Sequence, residues 1–185
     1  MTFTVIYDAN VLYPSVLRDV LIRVARMGVN HARWSDLILD ETFRAIAKNR
    51  PDLDGNKLTR TRELMCKAVP DCLVDVKAIE ALVPTLVLPD PGDRHVLAAA
   101  IVAGAQVIVT TNLKHFPARE LQVFDVEAKH PDAFLQDMYH LDGAMMHQAV
   151  SEAAAAYKNP ARTVGDLVEQ LDSLGLPISA SLLRR

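Results

Sequence analysis

The chain reads as an α/β protein with a mostly parallel sheet flanked by helices, followed by a helical C-terminal extension. Three observations point there. Short, continuously apolar runs such as "FTVIY" and "QVIV" have the signature of strands covered on both faces. These runs alternate with stretches whose apolar residues recur at helical spacing, the pattern of strand–helix–strand crossovers. From about Pro131 the strand signals cease and only helical periodicity remains.

"FTVIY" is the first strand. Pro14 opens a helix in which Val16, Leu17, Val20, Leu21 and Val24 share a face, and Gly28 ends it. Ser35 is placed to cap "DLILDETFRAIAKNR", which Pro51 stops. "GNKLTRTRELMCKAV" and "VKAIEALV" predict two further helices. "TLVLPD" is expected as a second buried strand. Asp93 opens the helix "RHVLAAAIVA", closed by Gly104. "QVIVTTN" is the third strand and "LQVFDVE" a fourth, near the sheet edge. In the extension, "PDAFLQDMYHLDGAMMHQAVSEAAAAYKN" is helical by periodicity and alanine content, and Pro160 breaks it. "TVGDLVEQLDSLG" is an amphipathic helix with Leu167, Val168, Leu171 and Leu174 on one face, and a proline-containing tail follows. The expected division is a domain over residues 1–130 and an extension over 131–185.

With 185 residues, half of them apolar, the chain has enough to bury a real core, which excludes a disordered tail. A net charge of −3 argues against a uniformly basic surface but leaves room for a local basic groove. Between Arg44 and Lys67 basic residues outnumber acids. That segment reads either as a path for a phosphate backbone or as a solvated helical hairpin. Cys66 and Cys72 have no partners at zinc spacing and read as reduced thiols of a cytoplasmic protein. The start, "MTFTVIYD", lacks a signal-peptide pattern. "VLAAAIVAGAQVIVTT" is split by Gly104 and Gln106, so it reads as a buried helix, a cap and a buried strand rather than a membrane span.

The ends of the expected strands carry the chemistry. The first ends in Asp8, with Asn10 beyond it; the second in Asp90 and Asp93; the third in Thr110, Thr111 and Asn112. Open parallel sheets bind ligands outside their strands' carboxyl ends. Each residue also has a plain alternative: Asp8 and Asn112 as turn residues, Asp93 as a helix cap. Carboxylates and amides without thiolates suit Mg²⁺ or Mn²⁺ rather than zinc. "DANVLYPS" has no glycine, which weakens any phosphate-loop reading. Carboxylate-bound Mg²⁺ without a nucleotide cradle suits phosphodiester hydrolysis.

"VIYDANVLYPS", "ILDETFRAI" and "DPGDRHVLAAAIVAGAQVIVTTNLKHFP" together resemble PIN-domain ribonucleases, and within them the VapC-like toxin components of bacterial toxin–antitoxin modules. The resemblance covers roughly the first 130 residues. It implies a three-layer domain and an Mg²⁺- or Mn²⁺-dependent endoribonuclease, the toxin of a type II pair with RNA as substrate and an antitoxin protein as partner. A second copy of the chain is a further candidate partner. The family's acidic positions fall on Asp8, Glu41 and Asp93, with the fourth on Asn112, where an amide replaces the commoner carboxylate. The implied catalytic set is Asp8, Glu41, Asp93 and Asn112; the implied metal ligands are Asp8, Glu41, Asp93 and Asp90, which makes up the missing charge. For Glu41 the plain alternative is a surface pair with Arg44. His115 stands where the family's loop is often acidic, and is read as a substrate contact. Two other readings remain open at this point: a catalytically degenerate RNA-binding protein and a DNA-directed or flap-type nuclease.

Overall fold

The computed structural model describes residues 3–185. Four strands form one sheet: β1 (Phe3–Tyr7), β2 (Asn30–Arg33), β3 (Val107–Val109) and β4 (Glu127–Lys129), in the order β2-β1-β3-β4. Every pairing is parallel, with Val5 opposite both Ala32 and Val107. Val5, Ile6 and Tyr7, and Ile108 and Val109 opposite them, are fully buried, as continuous apolar runs demand. After β1 the chain crosses to β2 on one side of it and later returns to β3 on the other. The gap between the carboxyl ends of β1 and β3 is therefore the point where strand order reverses.

Before the extension the helices are α1 (Ala9–Leu12), α2 (Ser15–Arg26), α3 (Asp36–Asn49), α4 (Gly55–Ala68), α5 (Val76–Leu82), α6 (Arg94–Ala103) and the short α7 (Ala118–Leu121). Their ends follow the expected chemistry. Ser35 Oγ accepts from Ile38 N at 3.2 Å, and Gly104 closes α6 in the left-handed region at φ 61°.

Three expected strands need correction. Residues 85–90 form none. Val83–Thr85 makes a 3₁₀ turn, and the segment after it runs beside proline at 84, 89 and 91, each without an N–H for a ladder. Leu86 and Leu88 are buried while Val87 is 67% exposed, so the alternation that suggested a strand belongs to an unpaired strap. The second strand is instead "NHAR", too polar to read as one. Asn30 is buried there; its Nδ2 donates to Tyr7 Oη at 3.1 Å, while its Oδ1 has no partner among the described residues. The third expected strand is shorter than predicted and stops at Val109, leaving Thr110–Asn112 as loop. "LQVFDVE" is mostly helical turn: α7 and a 3₁₀ turn at Gln122–Phe124 lead to Asp125 at φ 55°. Only then does the edge strand β4 begin, at Glu127.

The extension is four helices: α8 (Pro131–Leu141), α9 (Gly143–Ala156), α10 (Val164–Ser173) and α11 (Pro177–Leu183). The expected single long helix divides at Asp142, which turns to extended backbone and caps α9 by accepting from Met145 N at 2.9 Å. The expected tail is helical, with Pro177 at a first-turn position where its missing N–H costs nothing. Buried Asp132 ties α11 to α8, accepting from Ser179 N (2.8 Å), Ser179 Oγ (2.6 Å) and Ile178 N (3.1 Å). The extension packs on the sheet domain through Phe134, edge-on to Phe3 and Tyr7 at 6.5 and 6.1 Å, and through Arg23 of α2 paired with Glu152 of α9 at 3.4 Å. Phe134 is 1% exposed, so Phe134→Ala should cost about 3–5 kcal/mol. No described helix is long and apolar enough to cross a membrane.

Candidate active site

Asp8 is the first residue past β1 and is 4% exposed. Its Oδ1 accepts from Ala9 N at 2.7 Å, so the turn-residue reading is partly correct: Asp8 does cap α1. The other oxygen does something a cap does not need. Oδ2 accepts from Asn10 Nδ2 and from Thr110 Oγ1, each at 2.7 Å. Thr110 is the first residue past β3 and is fully buried. Its hydroxyl also accepts from Asn10 Nδ2 (2.9 Å) and Asn112 N (3.1 Å), while Asn10 Oδ1 accepts from Thr111 N (3.0 Å). One donor and two acceptor sites exhaust a hydroxyl. The carboxylate accepts three bonds out of roughly four lone-pair sites, which leaves one open.

Burial pushes the Asp8 carboxyl up from 3.8 to about 6. The hydrogen bonds from Thr110 and Ala9 hold it down, and the charges of Asp93 and Glu41 push it further up. Asp8 therefore feels the charge of both other acids picked out in the sequence.

Glu41 and Asp93 line an open groove of about 600 Å³ together with Asp90, Arg44, His95 and the backbone of Gly92. Glu41 comes from α3 and is half exposed. Its close neighbour is His95 of α6, Nε2 to Oε2 3.4 Å, rather than the Arg44 that helical spacing suggested. Asp93 stands at the start of α6 but its side chain caps nothing. Its carboxylate is 16% exposed and Oδ2 lies 2.7 Å from His115 Nδ1. The plain reading of Asp93 as a side-chain cap thus fails. Asp90 is exposed and folds over its own turn, Oδ1 accepting from Gly92 N at 2.8 Å. A Cβ on residue 92 would meet that oxygen at 3.1 Å, which is why glycine fits there.

Asn112 is half buried and held through its backbone; its side-chain amide bonds to no described residue, and it does not line the groove. His115 was expected at a substrate; the structure places its ring on Asp93, with Asp90 Oδ2 at 3.9 Å. One ligand atom each from Asp90, Asp93 and His115 lies within 4.8 Å of the others. The donor set as a whole, carboxylate oxygens joined by one imidazole, fits a divalent cation such as Mg²⁺ or Mn²⁺. The sequence pointed to Thr110 only as one of several strand-end residues and did not point to His95 at all. The signal for Thr110 was a hydroxyl directly after a buried strand; His95 gave none.

Of the basic residues between Arg44 and Lys67, Arg62 is taken by Asp36 and Asp40 (2.6 and 2.5 Å), and Arg50 by Asp52 (2.7 Å). Lys48, Lys57, Arg60 and Lys67 are exposed on α3 and α4, and Arg44 is exposed at the groove.

Comparison with known proteins agrees with this geometry. Residues 4–114 match the PIN domain, and residues 131–185 match the VapC50 C-terminal domain. A Mycobacterium tuberculosis (strain ATCC 25618 / H37Rv) protein named "Putative ribonuclease VapC50" is 44% identical over 95 residues, covering 50% of this chain and 54% of that relative. The match thus spans about half the length of the relative. No solved structure matches the chain. An all-parallel sheet with acids at its carboxyl edge, and a family match over residues 4–114, lead to one assignment: the chain belongs to the PIN-domain family and carries a C-terminal region of the VapC50 type.

Proposed function

We propose that this protein is a divalent-cation-dependent endoribonuclease, and that it serves as the toxin of a two-component toxin–antitoxin pair acting in the cytoplasm. The observation that carries the reading is buried Asp8 at the β1–β3 switch point, charge-coupled to Asp93 and Glu41 of the groove. A structural aspartate does not need burial beside two like charges, which raises its pKa and costs stability. A site that receives a cation does. The matched relative's name, a ribonuclease, supports RNA as the substrate class.

Asp8, Asp93 and Glu41 would hold Mg²⁺ or Mn²⁺, with Asp90 at the rim. When bound, the ion lowers the pKa of a water and offsets charge on the phosphoryl oxygens. The protein's own residues do the rest. Thr110 and Asn10 orient Asp8 Oδ2 from two donors, so the carboxylate keeps one direction whether or not a cation is present. Arg44, exposed at the groove, and the free lysines of α3 and α4 give a phosphate backbone a positively charged approach. Asn112 takes no charge to the site, so its contribution is to position water or phosphate. Residues 131–185 form a packing and docking element joined to the nuclease domain at about residue 130.

The test is cleavage of total RNA by the wild type and by Asp8→Asn, with Mg²⁺, Mn²⁺ or a chelator. Cleavage is expected only for the wild type with a cation. Equal cleavage by both proteins, or cleavage in chelator, contradicts the proposal; cleavage of DNA but not RNA moves the substrate class.

A further inference from the structure

We infer that His115 supplies a nitrogen ligand to the cation at this site, and that the chain therefore selects Mn²⁺ over Mg²⁺. The inference rests on the reading of the acidic groove as a cation site; what it adds is the identity of one ligand and the ion that follows from it. His115 ends a short 3₁₀ turn, Leu113–His115, directly after the loop that leaves β3. Its ring is 26% exposed, so no demand for core packing puts it there. It meets Asp93, whose carboxylate is free of capping duty, at 2.7 Å, and Asp90 at 3.9 Å.

Those spacings suit one coordination sphere. Ligands at about 2.1 Å from an octahedral ion are roughly 3 Å apart when adjacent and roughly 4.2 Å apart when opposite. The three ligand atoms here lie within 4.8 Å of one another, so small side-chain movements bring them onto one ion. Without an ion, Nδ1 is in hydrogen-bond contact with the Asp93 carboxylate. With one, a ring carrying its proton on Nε2 would leave the Nδ1 lone pair for the metal, and Asp93 would give up its contact with the ring for the ion.

Replacing an oxygen donor by imidazole changes which ion fits. Mg²⁺ demands hard oxygen ligands and sheds water reluctantly. First-row transition dications bind nitrogen donors better than Mg²⁺ does, and among them Mn²⁺ is the one that shares the preference of Mg²⁺ for carboxylates. Only one carboxylate of the Asp90–Asp93–His115 group, Asp93, also acts on Asp8, so Asp93 is the ligand that joins the histidine to the buried half of the site.

The experiment is pulsed electron paramagnetic resonance of Mn²⁺ bound to the full chain, read for ¹⁴N modulation, beside calorimetric titrations with Mn²⁺ and Mg²⁺. The proteins are wild type, His115→Gln and His115→Asp, each checked for an unchanged unfolding midpoint without metal. Wild type should show nitrogen coupling and both variants none. The preference for Mn²⁺ over Mg²⁺ should fall at least roughly tenfold in His115→Gln, the scale on which lost metal-site partners act. His115→Asp should still bind, with its preference moved toward Mg²⁺. Mn²⁺ binding without nitrogen coupling, or coupling that survives in His115→Gln, overturns the inference and leaves the cation site standing. Failure of the wild type to bind either ion overturns both.

Discussion

Asp8 feels the charge of Asp93, yet the protein treats the two in opposite ways. Asp8 is buried and receives three hydrogen bonds, from a backbone N–H, an amide and a hydroxyl. Asp93 is partly open to solvent, caps nothing and touches a single histidine. Glu41 and Asp90 share its side of the groove and are half exposed. One wall of the site is therefore fixed by folding. The other consists of charges on flexible side chains, whose final geometry is left to whatever they bind. On the proposed reading the difference separates the roles: Asp8 would define where a cation sits, and the groove acids would complete its shell.

The largest effect expected from this contrast is on catalysis. Asp8→Asn keeps the shape of the inner wall but removes its charge. RNA cleavage should fall by at least about 100-fold, the range seen when a preorganised charge-stabilising group is lost. Steady-state cleavage assays would show it, and expression of Asp8→Asn should no longer inhibit growth.

Next comes the pH dependence of the metal-free protein. The folded pKa of Asp8, about 6, lies above its ordinary 3.8. The folded state thus holds its proton more tightly than the unfolded chain. The stability linked to that proton is fully present below 3.8 and is lost as pH rises through 6. The displacement corresponds to on the order of 3 kcal/mol. Urea denaturation in chelator at several pH values should show this decline, and Asp8→Asn should flatten it. An unchanged decline in Asp8→Asn would place its origin elsewhere.

Thr110 tests the fixed wall by itself. Thr110→Val matches the shape but removes the hydroxyl on which Asp8, Asn10 and the Asn112 N–H converge. The expected cost is about 1–3 kcal/mol in denaturation midpoint analysis, from groups left buried without partners. Thr110→Ser should stay close to wild type. The smallest effect belongs to Asn112→Ala. With its side chain bonded to no described residue, the variant should lower cleavage only a few-fold, in rough keeping with one lost hydrogen bond of about 1 kcal/mol.

How much of this could be read from the sequence differs between the same two walls. β1 and β3 announce themselves because both faces are covered, so their residues are continuously apolar, and the residues just past them are then placed by the fold. β2 stays hidden because its buried polar residue, Asn30, is held through Nδ2 by Tyr7, a contact between residues 23 apart that no local pattern encodes. The strap at 86–88 misled for the converse reason: alternating burial without a partner strand looks like a strand until its prolines are weighed. At the site, Asp8, Glu41, Asp90 and Asp93 are legible as acids at strand and helix ends or by family resemblance. Thr110 was visible only as a residue at a strand end. Its importance comes from bonds to residues 100 and 102 positions away. His115 was legible as a loop residue, but its contact with Asp93 was not, because the loop that returns it there carries no periodicity.

The role proposed for Asp8 is to hold a cation together with the groove acids. Calorimetric titration of Mn²⁺ into the full chain and into Asp8→Asn tests it without relying on a substrate. The account predicts saturable binding to the wild type. It also predicts a rise in unfolding free energy of about 2.7 kcal/mol when the ion reaches a hundred times its dissociation constant. Both should be largely lost in Asp8→Asn. Equal Mn²⁺ binding and equal stabilisation in the two proteins would contradict the account and return Asp8 to the role of a helix cap.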